Sequence, residues 1–127
     1  MYVYRVEDRI GAGPYHAGGL EVDRSSTARH PSPRDDGLHK WKYSDYENTK
    51  HYFFGFESMQ AANNWFGCMQ NSIIQYNREV DHCKRFGIAT YECNPSDVEI
   101  GGSQLVFKRE NAQIVSFKEF GLDLILA

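Results

Sequence analysis

The chain has 127 residues, with 14 Lys and Arg against 17 Asp and Glu, a net charge of −3, and eight Phe, eight Tyr and two Trp. That length suits one domain, spanning 1–127, able to bury a core without staples. The slightly acidic balance excludes the broad basic footprint of a nucleic-acid binder, and it falls short of the dense acidic face of a DNA mimic.

Cys68, Cys83 and Cys93 form an odd set with no close pairing, which reads as reduced, partly buried thiols. No apolar run nears the ~20 residues that span a bilayer. The first residues lack the basic-then-apolar order of a signal peptide. The expectation is a soluble, cytoplasmic protein with no membrane partner.

"YVYRVE", residues 2–7, alternates as a strand, with Val3 and Arg5 on one face and Tyr2, Tyr4 and Val6 on the other. "GAGPY" breaks it, since Gly11 and Gly13 permit positive φ and Pro14 fixes the next turn. From about 17 to 50 the chain is poor in aliphatics and reads as one long loop. Its "RHPSPRDDG" stretch carries X-Pro steps and an Asp-Asp-Gly turn. Loops of this length are uncommon unless they act, so a lid and a solvated variable loop both stay open.

"HYFFGFES" (51–58) returns to strand character, interrupted at Gly55. "SMQAANNWFG" predicts a short helix capped by Ser58, burying Ala62, Trp65 and Phe66 and ending at Gly67. "NSIIQYNREVDHCKRFG" places Ile73, Tyr76, Val80, Cys83 and Phe86 at helical spacing, with Gly87 as terminator. "IATYEC" (88–93), "SQLVFKR" (103–109) and "QIVSFKEF" (113–120) read as strands, separated by turns at "NPSD", "GG" and "EN". The expected architecture is α+β: a mixed, mostly antiparallel sheet with two helices between the early and late strands.

Chemistry-bearing patterns are few. The histidines at 16, 30, 39, 51 and 82 form no H-x-x-x-H, and no C-x-x-C occurs, so no metal is expected. There is no G-x-S-x-G, and Cys83 on an apolar helical face suits packing. "GAGPYHAGG" is glycine-rich but lacks the Lys-Ser/Thr of a P-loop. Arg5 gives that turn interest, because a guanidinium withdrawn from water needs an anionic partner. The partner is a ligand phosphate or carboxylate, or an internal acid such as Glu92; the third reading is an exposed sheet face.

"VYRV", "YFFGFESMQAANNWF" and "GGSQLVFKRENAQIVSFKEF", in that order, resemble the ADP-ribosyltransferase-like fold. The resemblance implies that Arg5 holds the phosphate and nicotinamide end of NAD and that Ser58 braces the site. Gln104 stands where that family carries its catalytic Glu. A neutral amide cannot stabilise an oxocarbenium ion as a carboxylate does, so the resemblance implies binding of NAD, ADP-ribose or a related nucleotide without strong catalysis. Full activity would need a displaced acid such as Glu92 or Glu99. In this reading Arg5, Gly13, Tyr4, Tyr15, Ser58 and Gln104 line the cleft, a tyrosine stacks on the ring, and His30, Arg34 and Asp36 close over it.

"VYRVEDRIGAGPY", "HPSPRDD", "FGFESMQAANNWF" and "QLVF" also resemble a family of small phage and prophage proteins, over nearly the full length. That resemblance implies a phage setting and a role in countering host defence. Three functions follow as expectations: a nucleotide-binding protein, an active ADP-ribosyltransferase, or a protein-binding inhibitor of a host defence enzyme (an anti-CRISPR or similar). In the last, the long loop and exposed aromatics form the interface, and mutants in residues 28–37 test it.

Overall fold

The structure is a computed structural model that describes residues 1–13, 38 and 51–124. The alternating opening forms strand β1 (Tyr2–Glu7), which pairs antiparallel with β3 (Gly87–Glu92) in the register Tyr2↔Glu92 to Glu7↔Gly87. On the other side of β3 lies β6 (Gln113–Glu119), also antiparallel, with Val115 bulged out where Thr90 faces Ser116 and Tyr91 faces Ile114. A second sheet places β5 (Leu105–Lys108) between β2 (Tyr52–Gly55) and β4 (Val98–Ile100). A bridge joins the two sheets: Tyr4 and Phe56 exchange backbone hydrogen bonds of 2.9 and 2.7 Å. Every pairing between these named strands is antiparallel.

Two helices stand between β2 and β3, as the sequence predicts. Helix α1 (Met59–Phe66) starts where the Ser58 hydroxyl accepts from the Ala61 N–H at 3.0 Å. It buries Ala62, Trp65 and Phe66. Gly67 does not stop the chain with a left-handed turn. It stays right-handed and leads through a 3-10 turn (Gly67–Met69) into α2 (Gln70–Glu79).

Helix α2 is shorter than its apolar spacing suggests. It ends at Glu79, Val80 is extended, and Cys83 lies exposed in a separate 3-10 turn (His82–Lys84). Cys83 therefore has no packing role on an apolar helical face. The physical reason is Asn77, whose buried side chain donates to the Phe86 and Phe120 carbonyls at 2.9 and 3.1 Å and accepts from the Phe86 N–H at 2.7 Å. Those bonds draw the chain away from the helix and into β3. Gly87 opens that strand rather than capping a helix; a Cβ there would collide with the Lys118 carbonyl across the β3–β6 ladder. The strand β4 falls between the "NPSD" and "GG" turns, a stretch the sequence reading leaves unassigned.

Side chains alternate along β1 between two cores. Val6 joins Ile88, Phe66, Ile73, Phe86 and Phe120 beneath the helices, with Tyr4 packed against them. Val3 joins Ala89, Tyr91, Leu105 and Phe107 on the other face. Fully burying one such side chain stabilises the fold by roughly 1.5–3 kcal/mol. Leu38, the one described residue between 13 and 51, is also buried. Cys93 is buried, which pushes its thiol above the ordinary range. No helix among the described residues is long and apolar enough to cross a membrane.

Candidate functional site

Beyond Val3, the same face of β1 carries Arg5 and Glu7, and both are buried. Arg5 Nε lies 3.0 Å from Glu7 Oε1, though the N–H does not point along that line, so the contact is an ion pair rather than a directed hydrogen bond. Arg5 Nη1 does make one, donating to the Phe54 carbonyl at 2.9 Å. Burial holds the Arg5 guanidinium below its ordinary pKa. The Glu7 charge opposes that shift, and repulsion from Arg109 adds to it.

Arg109 arrives from the end of β5 to share the same carboxylate, its Nη1 lying 3.5 Å from Glu7 Oε1 and donating to the Gly11 carbonyl at 2.7 Å. Phe53 lies against both guanidiniums, with its ring centroid 3.8 Å from the Arg109 centre and 5.1 Å from that of Arg5. The Tyr91 hydroxyl donates to Glu7 Oε2 at 2.7 Å. Burial first, then that hydrogen bond, raises the phenol well above its ordinary value and keeps it neutral. Among the described residues, two cations thus face one anion.

The glycine turn is built around this cluster. Asp8 holds it, its carboxylate accepting from the Ile10 and Ala12 N–H groups at 2.9 Å each. Gly11 adopts φ +89, and a Cβ there would sit 3.0 Å from Arg109 Nη1; one on Gly13 would sit 3.0 Å from Arg5 Nη2. Both contacts are tight enough that a guanidinium would have to yield. At "GAG" the backbone therefore closes on arginine side chains.

Ser58 and Gln104 meet elsewhere, in a cleft of about 380 Å³ between the start of α1 and the β4–β5 turn. Glu57, Asn64, Trp65 and Ser103 also line it, and Arg5 does not. The structure therefore brings Arg5 together with Gly13, brings Ser58 together with Gln104, and turns Tyr4 toward the helices on the face opposite Arg5. Glu92, weighed as the internal partner of Arg5, is exposed; Glu7 takes that part. Tyr15, His30, Arg34 and Asp36 lie outside the described residues, as do Cys68's side chain and the segment 17–50 apart from Leu38.

Sequence reasoning missed Glu7, Phe53, Tyr91 and Arg109 around Arg5. Glu7 was legible, since i and i+2 share a strand face; Arg109, 104 residues away from Arg5, was not. It also missed Glu57 and Asn64, which flank and follow the recognised cap. Among the described residues no three His, Cys, Asp or Glu side chains converge as metal ligands.

Residues 1–121 match the family model described as Bacteriophage T4 Y00F protein. No curated protein and no solved structure matches the chain, and none of the comparisons ties its α+β architecture to the ADP-ribosyltransferase-like fold.

Proposed function

The chain belongs to the Bacteriophage T4 Y00F protein family, and from that premise we propose that it binds a phosphate-bearing ligand of the nucleotide class at the cluster of Arg5 and Arg109. The observation that supports this reading is the charge count: among the described residues, two guanidiniums share the single carboxylate of Glu7 while Tyr91 stays neutral. Positive charge in excess of the described counter-charge is costly where it is shielded from water, and an incoming phosphate would relieve it.

Arg109 is the group able to meet the ligand first, because its side chain is 27% exposed while that of Arg5 is 11% exposed. A phosphate would accept from the open edge of Arg109, with Arg5 behind it supplying field rather than contact. The glycine turn over both guanidiniums leaves backbone close at hand. The reading is one of binding without turnover, since Gln104 carries an amide and stands in a different cleft. NAD, ADP-ribose and cyclic nucleotides all present the required phosphate, and sequestering such a molecule would suit a phage protein that counters host defence.

Thermal unfolding of the whole chain with NAD, ADP-ribose, a cyclic nucleotide and inorganic phosphate tests this. A ligand at a hundredfold its Kd should stabilise the fold by roughly 2.7 kcal/mol. Arg109→Ala should fold, by circular dichroism, yet lose that response. No shift with any of the four, or an equal shift in Arg109→Ala, would overturn the proposal.

A further inference from the structure

We propose that the cleft between α1 and the β4–β5 turn is a second site, taking an uncharged ring that carries a vicinal diol, the chemistry shared by ribonucleosides and simple sugars. This goes beyond the phosphate reading and does not depend on it. The cleft's volume of about 380 Å³ lies near the lower end of ligand pockets, suited to a monosaccharide or a nucleoside rather than a dinucleotide. Gln104 and Arg109 flank opposite ends of β5, five residues apart, a separation of about 17 Å along an extended strand. The two sites are therefore distinct.

The lining decides the class of ligand. Glu57 is exposed at the cleft, and no Lys or Arg among the described residues lines it, so a phosphate would meet repulsion rather than a partner. A carboxylate only accepts, through two oxygens side by side, and adjacent hydroxyls offer two donors at matching spacing. Asn64 adds an exposed amide, which both donates and accepts. Ser58 accepts from the Ala61 N–H, an arrangement that leaves its own proton to donate. Trp65 supplies an apolar wall, and its ring is held 5.5 Å from that of Phe56.

The walls are also preorganised. The Ser58 cap fixes the start of α1, and the Gly101 N–H donates to the Gln104 carbonyl at 2.8 Å to close the opposite turn. Gln104 itself is buried and engaged within the fold. Rigid walls spare a small ligand the cost of ordering its own site.

Titration of the full chain by NMR, reading the Trp65 indole resonance, tests the assignment with adenosine, 2′-deoxyadenosine and a methyl glucoside. Saturable shifts with adenosine, with the glucoside or with both are expected, and which of them binds identifies the source of the diol. Glu57→Gln, a change at an exposed position, should weaken binding about tenfold, or 1.4 kcal/mol. Failure of both adenosine and the glucoside to bind would overturn the proposal. So would equal affinity for the 2′-deoxy compound, equal affinity in Glu57→Gln, or displacement by inorganic phosphate.

Discussion

Replacing Glu7 by Gln removes the one described carboxylate that Arg5 and Arg109 share. The Arg5–Glu7 pair is shielded from solvent, with side chains 11% and 4% exposed, so water screens little of the change. Neutralising one member of such a buried pair costs about 3–5 kcal/mol, because the other charge stays behind without compensation. Arg109 is more open, and its share falls in the range of surface pairs, below about 1 kcal/mol. Tyr91 keeps an acceptor in the new amide, so its hydroxyl adds little to the loss. Against a total of about 5–15 kcal/mol for a domain, the variant should lose a large part of its stability. Its melting temperature should fall by about 10–20 °C. Urea unfolding followed by circular dichroism at neutral pH measures this. The same experiment with added phosphate asks a second question, since a cluster stripped of its carboxylate should gain more from the anion than the wild type does. A loss below about 1 kcal/mol would refute the reasoning, because it would mean that the pair behaves as a solvated surface contact.

Two further outcomes follow from the buried polar groups. Asn77→Ala deletes three buried hydrogen bonds and strands backbone groups of Phe86 and Phe120. A loss of about 3 kcal/mol is expected, with the Phe86 amide exchanging faster with solvent; an unchanged denaturation midpoint would contradict the role given to Asn77 in ending α2. Tyr91 is held neutral in the fold, its phenol raised above the ordinary value. The unfolded chain ionises near pH 10, so the stability linked to this group is complete below that pH and declines as pH rises past it. The slope approaches about 1.4 kcal/mol per pH unit, and Tyr91→Phe should flatten that part of the alkaline limb; an identical limb in the variant would show that the phenol does not titrate as described.

Among the described residues, a second carboxylate is approached by two arginines. Arg9 donates to Glu119 at 2.6 Å and lies 4.6 Å from the centre of the Phe117 ring, while Arg85 approaches the other oxygen of Glu119 at 4.0 Å. Glu7 and Glu119 are thus each flanked by two guanidiniums: Phe53 lies against both of those at Glu7, and Phe117 against Arg9 at Glu119. Both carboxylates sit on sheet strands close to the turns that follow β1 and β6. Arg9 also donates to the His82 carbonyl at 3.2 Å, tying the turn after β1 to the 3-10 segment beyond α2, much as Arg109 ties the end of β5 to Gly11.

Local chemistry alone was enough to place β1 at residues 2–7, to divide its side chains between two faces, to assign Ser58 as a cap and to mark the late strands. Each of those features depends on a two-residue period, a turn residue or a side chain bonding its own neighbours, all of which lie within a few positions. The end of α2 escaped that logic, because Asn77 meets the backbones of Phe86 and Phe120 only after the sheet has formed. The charge balance at Arg5 escaped it too. An arginine on a strand announces that it needs an anion, and Glu7 stands two residues along the same face, but Arg109 becomes a competitor for that carboxylate only through the tertiary arrangement of the two sheets. Long-range proximity is set by how the two sheets join at Tyr4 and Phe56, and no periodicity within a single segment encodes that.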